Sequence, residues 1–486
     1  MQQRWWWPAL LLAASVPAAQ ARTLGTLEFK PCTLSAPLMP TSVEAQCATL
    51  QVPENRAAPG GRRIALRIGW VPAQNDTSAE PDPVFMLAGG PGQSALDTYP
   101  QVQPAFAKIN AKRHVILVDQ RGTGGSNPLQ CPQPDKAQSI DTPDAAAAYA
   151  RSCLAQLEKK ADLRFYTTGD VIADLDAVRQ AIGAERIDLV GVSYGTRVAQ
   201  QYAATYPRHT RAIVLDGVAP NSLVLGNEFA QNLESALDLQ FARCANDKAC
   251  ADKLGNPRQR LNALMQTLRT QPPTVTFRDP VTGAARRETL HAGDVAGLVR
   301  MSAYMPLMTA TLPLQFAEAA QGRYDTLAAT TSLISGSLSD SMAMGMQLSV
   351  ICAEDGSELA PDPGQDGSLL GNAIVEGLKA QCAVWPKGTR AANFRKPLST
   401  DVPALLLSGQ FDPVTPPRYG AEVAKSLPNA RHLVLKGQGH NVIAVGCAPQ
   451  LLGQFLDKAD AKSLDTKCLD RLTDTPPFTG FYGWDP

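Results

Sequence analysis

The chain has 486 residues, 44% of them hydrophobic, so it can bury a large core and exceeds the usual size of one compact domain. Its 45 basic and 45 acidic residues cancel, which removes any global field that would favour nucleic acid or an anionic membrane surface. One large domain with an insertion, or two domains, is the expected organisation.

The first residues, MQQRWWWPALLLAASVPAAQA, combine a positive start at Arg4, an apolar stretch and small residues at Ala19 and Ala21. They read as a secretory leader, residues 1–21, cut after Ala21. Pro8 and Pro17 break the stretch, and it is short for a spanning helix. No cysteine stands at the cleavage position, and no later segment has enough uninterrupted apolar residues to span a bilayer. A secreted or periplasmic protein without stable membrane insertion is therefore expected. Cysteines at 32, 47, 131, 153, 244, 250, 352, 382, 447 and 468 fit an oxidising compartment. Pairing chain neighbours (Cys32 with Cys47, Cys131 with Cys153, Cys244 with Cys250, Cys352 with Cys382, Cys447 with Cys468) is the simplest of many connectivities, and spacing excludes none of the others. With no C-x-x-C and no H-E-x-x-H, neither a metal site nor a cofactor is expected.

Cys47 to Val52 and Arg63 to Val71 alternate as an antiparallel pair expected at a sheet edge. Val84 to Ala88, ending in GGPG, and Val115 to Val118, ending in DQRGTGGS, are short apolar runs suited to buried parallel strands. Asp170 to Ile182 has helical spacing and feeds the run Ile187 to Val190. A strand at Ala212 to Leu215 follows and ends at Asp216. Strand and helix alternating in this way predict an α/β fold with a mainly parallel sheet. From about 220 to 399 the alternation stops. Ala230 to Cys244, Asp294 to Met305 and Met308 to Ala320 read as helices, and Thr274 to Phe277 with Arg286 to Leu290 as a small hairpin. This is a mostly helical insertion between a first core part, 22–219, and a second, 400–486. In the second part strands are expected at Ala404 to Leu407 and His432 to Leu435, with helices near Arg418 to Leu427 and Pro449 to Leu456.

GVSYG places Ser193 between Gly191 and Gly195, after a strand and before a helix-compatible segment, Thr196 to Tyr206. A serine hydroxyl is a poor nucleophile unless exposed, aligned and next to a base, and a strand–turn–helix elbow supplies the first two conditions. The base expected is His440, the one histidine after Ser193 in a glycine-flanked loop (GQGH) beyond a late strand. For the orienting acid, Asp412 in GQFDPVTP stands one helix and one strand before it; Asp216, at the end of the earlier strand, is the competitor. The oxyanion donors expected are the N–H groups of Tyr194, just after the serine, and of Gly90, preferred over Gly89, in GGPG.

Together GGPG, DQRGTGGS, GVSYG, GQFDPVTP, GQGH and the segment FARCANDKAC resemble the secreted tripeptidyl aminopeptidase branch of the prolyl aminopeptidase family, over nearly the whole chain after the leader. The resemblance implies an α/β-hydrolase fold with an inserted helical cap, and Ser193, Asp412 and His440 as triad with Gly90 and Tyr194 as oxyanion donors. It also implies a structural ion-pair role for Asp119 and Arg121. Ala88 stands where many prolyl aminopeptidases have histidine, which puts proline specificity in doubt rather than hydrolysis. Recognition of a free ammonium calls for carboxylates in the cap, for which Glu354, Asp355 and Glu228 are the candidates. The expected function is release of di- or tripeptides from peptides with free N-termini, with no nucleic-acid partner. The alternatives are a carboxylesterase and a non-catalytic binding protein on the same fold. Activity is expected to fall as pH drops through the histidine's titration, near about 6.5 in an unperturbed site.

Overall fold

The computed structural model describes residues 21–36, 40–132 and 142–484, with backbone alone for 335–341. The leader expected over 1–21 lies outside the described residues except for Ala21. Twelve strands are described: β1 (Arg22–Leu24), β2 (Leu27–Ser35), β3 (Ser42–Pro53), β4 (Arg63–Val71), β5 (Val84–Leu87), β6 (Val115–Val118), β7 (Ile187–Val192), β8 (Thr210–Asp216), β9 (Thr274–Arg278), β10 (Ala285–Thr289), β11 (Ala404–Gly409) and β12 (Ala430–Leu435). Ten form one sheet in the order β1-β2-β3-β4-β6-β5-β7-β8-β11-β12, while β9 and β10 make the hairpin expected from sequence. The run from β6 to β12 is parallel throughout, and β1 to β4 are antiparallel.

The inner parallel strands read as largely apolar runs because both faces are covered, whereas the edge strand β12 is only partly buried. Phe85 and Leu87 of β5, Ile116 and Val118 of β6, and Leu189 of β7 enter one core layer. Their alternating neighbours Val84, Met86, Val115, Leu117 and Val190 enter the other. The expected edge position of β3 and β4 is corrected: β1 and β2 lie outside them and β4 borders β6. Pro31 inside β2 cannot donate to a ladder and obscures the strand in the sequence.

Between β8 and β11 the regular structure is helical apart from the hairpin, with irregular segments at 217–228, 355–372 and 385–403. Helices Phe229–Asn246, Pro257–Thr270, Ala292–Ser302 and Pro306–Ala319 share a cluster of their own around Leu237, Phe241, Leu261 and Phe316. The later helices Met344–Glu354 and Ala373–Val384 instead place Met346, Leu348, Ile351, Val375 and Cys382 in the main core. Disulfides join Cys32–Cys47, Cys131–Cys153, Cys244–Cys250, Cys352–Cys382 and Cys447–Cys468, the neighbour pairing throughout. No helix among the described residues is long and apolar enough to cross a membrane.

Candidate active site

Buried strand β7 ends at Val192, and Ser193 turns the chain at φ 56°, ψ −122° into the helix Tyr194–Thr205. A non-glycine residue with positive φ and extended ψ is strained, and it persists where neighbours overdetermine it. The neighbours here are glycines. A Cβ on Gly195 would lie 2.2 Å from the Leu87 carbonyl oxygen, and one on Gly191 would lie 2.4 Å from that of Gly195. The elbow therefore packs backbone to backbone against the end of β5. The GGPG loop continues from there: a Cβ on Gly89 would come within 3.0 Å of the Ser193 Cβ, and Gly90 has φ +107° before a cis bond to Pro91. This brings the loop carrying Gly90 beside the serine. Tyr194 opens its helix, where N–H groups lack partners within the helix.

His440 follows β12 in the GQGH loop. Its Nδ1 lies 2.7 Å from Asp412 Oδ2, with both side chains almost wholly buried. Asp412 is held in turn: its Oδ1 accepts from the Val414 and Thr415 N–H groups at 2.9 and 2.8 Å, and its Oδ2 from the Thr415 hydroxyl at 2.9 Å. Burial would raise the Asp412 pKa, but the His440 charge and hydrogen bond and the two backbone donors bring it below the usual value. For His440, burial works against the charged ring. The Asp412 charge and hydrogen bond, assisted by Asp216, outweigh it and raise the pKa above 6.5. The titration expected near the unperturbed value is corrected upward for that reason.

Asp216, the competing acid, faces elsewhere. Its carboxylate is fully buried and accepts from the Val442 N–H at 2.8 and 3.0 Å and the Ile443 N–H at 3.0 Å, anchoring the turn just beyond His440. Burial pushes it up to about 6 against those bonds. Its own carbonyl accepts from the Ser193 N–H at 2.8 Å. The next residue, Gly217, has φ +68°, and a Cβ there would lie 2.9 Å from His440 Cε1. Serine backbone and histidine ring thus both border the end of β8.

Three residues absent from the sequence-based expectation complete this centre. Thr415 lies 3.2 Å from His440 Nδ1 through its hydroxyl, and Gly217 makes room for the ring. Tyr304, from the helical insertion, accepts the His440 N–H on its carbonyl at 2.9 Å and sets its ring edge-on to the imidazole at 5.1 Å. The motif D-P-V-T carried a signal for Thr415; Tyr304 is too distant in sequence to carry one.

The amine-binding candidates are placed differently from one another. Glu354 and Asp355 are 1% and 0% exposed, so neither offers an oxygen to a substrate ammonium arriving from solvent. Glu354 accepts from the Thr168 N–H at 2.6 Å and the Thr168 hydroxyl at 2.9 Å. Asp355 pairs with Arg197 at 3.2 Å and Arg395 at 2.8 Å. Glu228 remains partly exposed, with Arg418 at 2.8 Å and the Tyr419 hydroxyl at 2.7 Å. Asp119 and Arg121 do not pair with each other. Asp119 accepts from the Ser94 hydroxyl and the Leu96 and Gly125 N–H groups, whereas Arg121 forks onto Asp174 at 2.6 and 2.7 Å. Each ties a loop of the fold.

Residues 82–268 match a family model described as alpha/beta hydrolase fold, and residues 367–468 one described as TAP-like protein. The chain is 24% identical over 516 residues to the serine protease Hip1 of Mycobacterium tuberculosis, covering 95% of this chain and 97% of that one. It is 28% identical over 229 residues to the tripeptidyl aminopeptidase of Streptomyces lividans, covering 44% and 42% of the two chains. A carboxylesterase B of Mycobacterium tuberculosis is 29% identical over 226 residues, 42% of this chain and 43% of that one.

Proposed function

Because the chain belongs to the α/β-hydrolase family of serine hydrolases, we propose that it is an exported serine exopeptidase that releases di- or tripeptides from free N-termini. Ser193 Oγ attacks the scissile carbonyl while His440 Nε2 takes its proton. Asp412 fixes the Nδ1–H tautomer and balances the imidazolium that forms. The N–H groups of Gly90 and Tyr194 hold the developing oxyanion. His440 then returns the proton to the leaving amine, and water hydrolyses the acyl-enzyme.

The observation that supports the exopeptidase reading is the contact of Tyr304, which lies in the segment expected to be the insertion, with the backbone and ring of His440. The helices from Phe229–Asn246 to Pro306–Ala319, which share a cluster of their own, would then cap the cleft and admit a chain end rather than a continuous polypeptide. Of the three acidic candidates, Glu228 is the one with exposed carboxylate surface, and it would take the substrate ammonium by exchanging its contact with Arg418. Five disulfides support export to an oxidising compartment, for which residues 1–21 would be the leader. A carboxylesterase is the second reading, favoured by the carboxylesterase match and by a triad that cleaves esters equally well.

Matched di- and tripeptide chromogenic amides, free or acetylated at the amino terminus, test the proposal beside a nitrophenyl ester. Cleavage of the free amides alone supports it; cleavage of the ester alone favours the second reading.

A further inference from the structure

Tyr194 has two ends with different tasks. Its N–H is the candidate oxyanion donor next to Ser193, and its phenol, 2% exposed, reaches back into the core to the Thr168 hydroxyl at 2.7 Å. Thr168 is the first residue of the helix Thr168–Ala181, where an N–H lacks a partner within the helix and a negative charge is favoured. Glu354 fills both requirements, accepting from the Thr168 N–H and hydroxyl. One turn further along the elbow helix, the buried guanidinium of Arg197 pairs with Asp355 at 3.2 Å. Of the two adjacent acids at the end of the helix Met344–Glu354, Asp355 pairs directly with the elbow helix at Arg197, and Glu354 reaches its first residue, Tyr194, through Thr168. The Cys352–Cys382 disulfide fixes that helix end two residues away.

Burial makes this arrangement costly, since an apolar contact of similar volume would hold two helices together at least as well. Burial also pushes the Glu354 carboxyl up to about 7, with Asp355 adding to the rise and Arg197 and the Thr168 bonds opposing it. Phenylalanine in place of Tyr194 would pack similarly without needing Thr168 or Glu354. What the hydroxyl chain adds is a fixed direction for the first residue of the helix, and so for its N–H.

We infer that Glu354 is a positioning residue for the nucleophile elbow, holding Tyr194 through Thr168 so that the end of the insertion orients the oxyanion donor from behind. The inference rests on the assignment of Ser193 as nucleophile and is independent of whether amides or esters are the substrate.

The test measures the second-order rate of inactivation by a fluorophosphonate, together with the melting temperature. The proteins are the purified full chain and its Glu354→Gln, Tyr194→Phe and doubly substituted variants. A donor displaced by a fraction of an ångström slows phosphonylation, and each single variant is expected to lose roughly tenfold in rate. Because both act through one chain of hydrogen bonds, the double variant is expected to be no slower than the slower single, with melting temperatures within a few degrees. Should Glu354→Gln fail to fold, Tyr194→Phe alone decides: an unchanged rate overturns the inference. Independent losses that multiply to about a hundredfold in the double variant overturn it as well, as do losses that follow melting temperature rather than the hydrogen-bond chain. A wild-type protein that takes no label refutes the Ser193 assignment and this inference with it. Normal labelling with unaffected variants refutes the inference alone.

Discussion

Replacing Asp412 with asparagine separates the two buried acids near His440. The oxygen of the new amide must stay toward the Val414 and Thr415 N–H groups, which can only donate. That turns the amide NH2 toward His440 Nδ1, where Asp412 Oδ2 now lies at 2.7 Å. The ring must then accept at Nδ1 and carry its proton on Nε2, the tautomer that cannot take a proton from Ser193. In a serine protease with the same arrangement this change costs about 10⁴ in kcat, close to 5 kcal/mol of transition-state stabilisation. Asp216→Asn should behave otherwise. Its three bonds run to the Val442 and Ile443 N–H groups, and one amide oxygen can keep two of them, so the His440 loop loosens without changing tautomer. A loss of about tenfold is expected there, the scale of one weakened hydrogen bond to a charged group. Steady-state kcat/KM for both variants at one pH, on whichever substrate turns over, is the assay. A larger loss for Asp216→Asn than for Asp412→Asn would refute the assignment of the acid.

The raised pKa of His440 places the acidic limb of kcat/KM above about 6.5, because the ring must be neutral to accept the serine proton and activity is lost as pH falls through its titration. A limb below that value, or a flat profile, would contradict the ion pair with Asp412. Gly195→Ala forces a Cβ to within 2.2 Å of a strand carbonyl that cannot yield, and should cost about 3 kcal/mol in urea unfolding. A change under about 1 kcal/mol would mean that the elbow packs more loosely than described. Replacing Cys352 and Cys382 by serine opens a loop with a sequence separation of 30 and should cost about 3 to 4 kcal/mol, read as a lower denaturation midpoint.

Legibility in the sequence followed burial and locality. Strands β5, β6, β7, β8 and β11 are covered on both faces and end at glycine turns or Asp216, so apolar runs marked them. Ser193 and Asp412 each sit in a short loop directly beyond such a strand, and His440 in a glycine-containing loop beyond the half-exposed β12, where local composition carries the signal. The strand β2 escaped because Pro31 interrupts it. Glu354 and Asp355 looked like free cap acids because their partners, Thr168, Arg197 and Arg395, come from other parts of the chain. Local sequence contains no trace of a pairing made across 158 residues, as between Arg197 and Asp355. Tyr304 was hidden for the same reason.

The central claim is that Ser193 is an activated nucleophile served by His440 and Asp412. Its most direct test is peptide mass mapping of the protein after reaction with a fluorophosphonate, compared with the Ser193→Ala variant. One adduct, on the peptide containing Ser193, absent from the variant and suppressed in Asp412→Asn, is the predicted result. An adduct on another serine, or equal labelling of the Ser193→Ala protein, would contradict it.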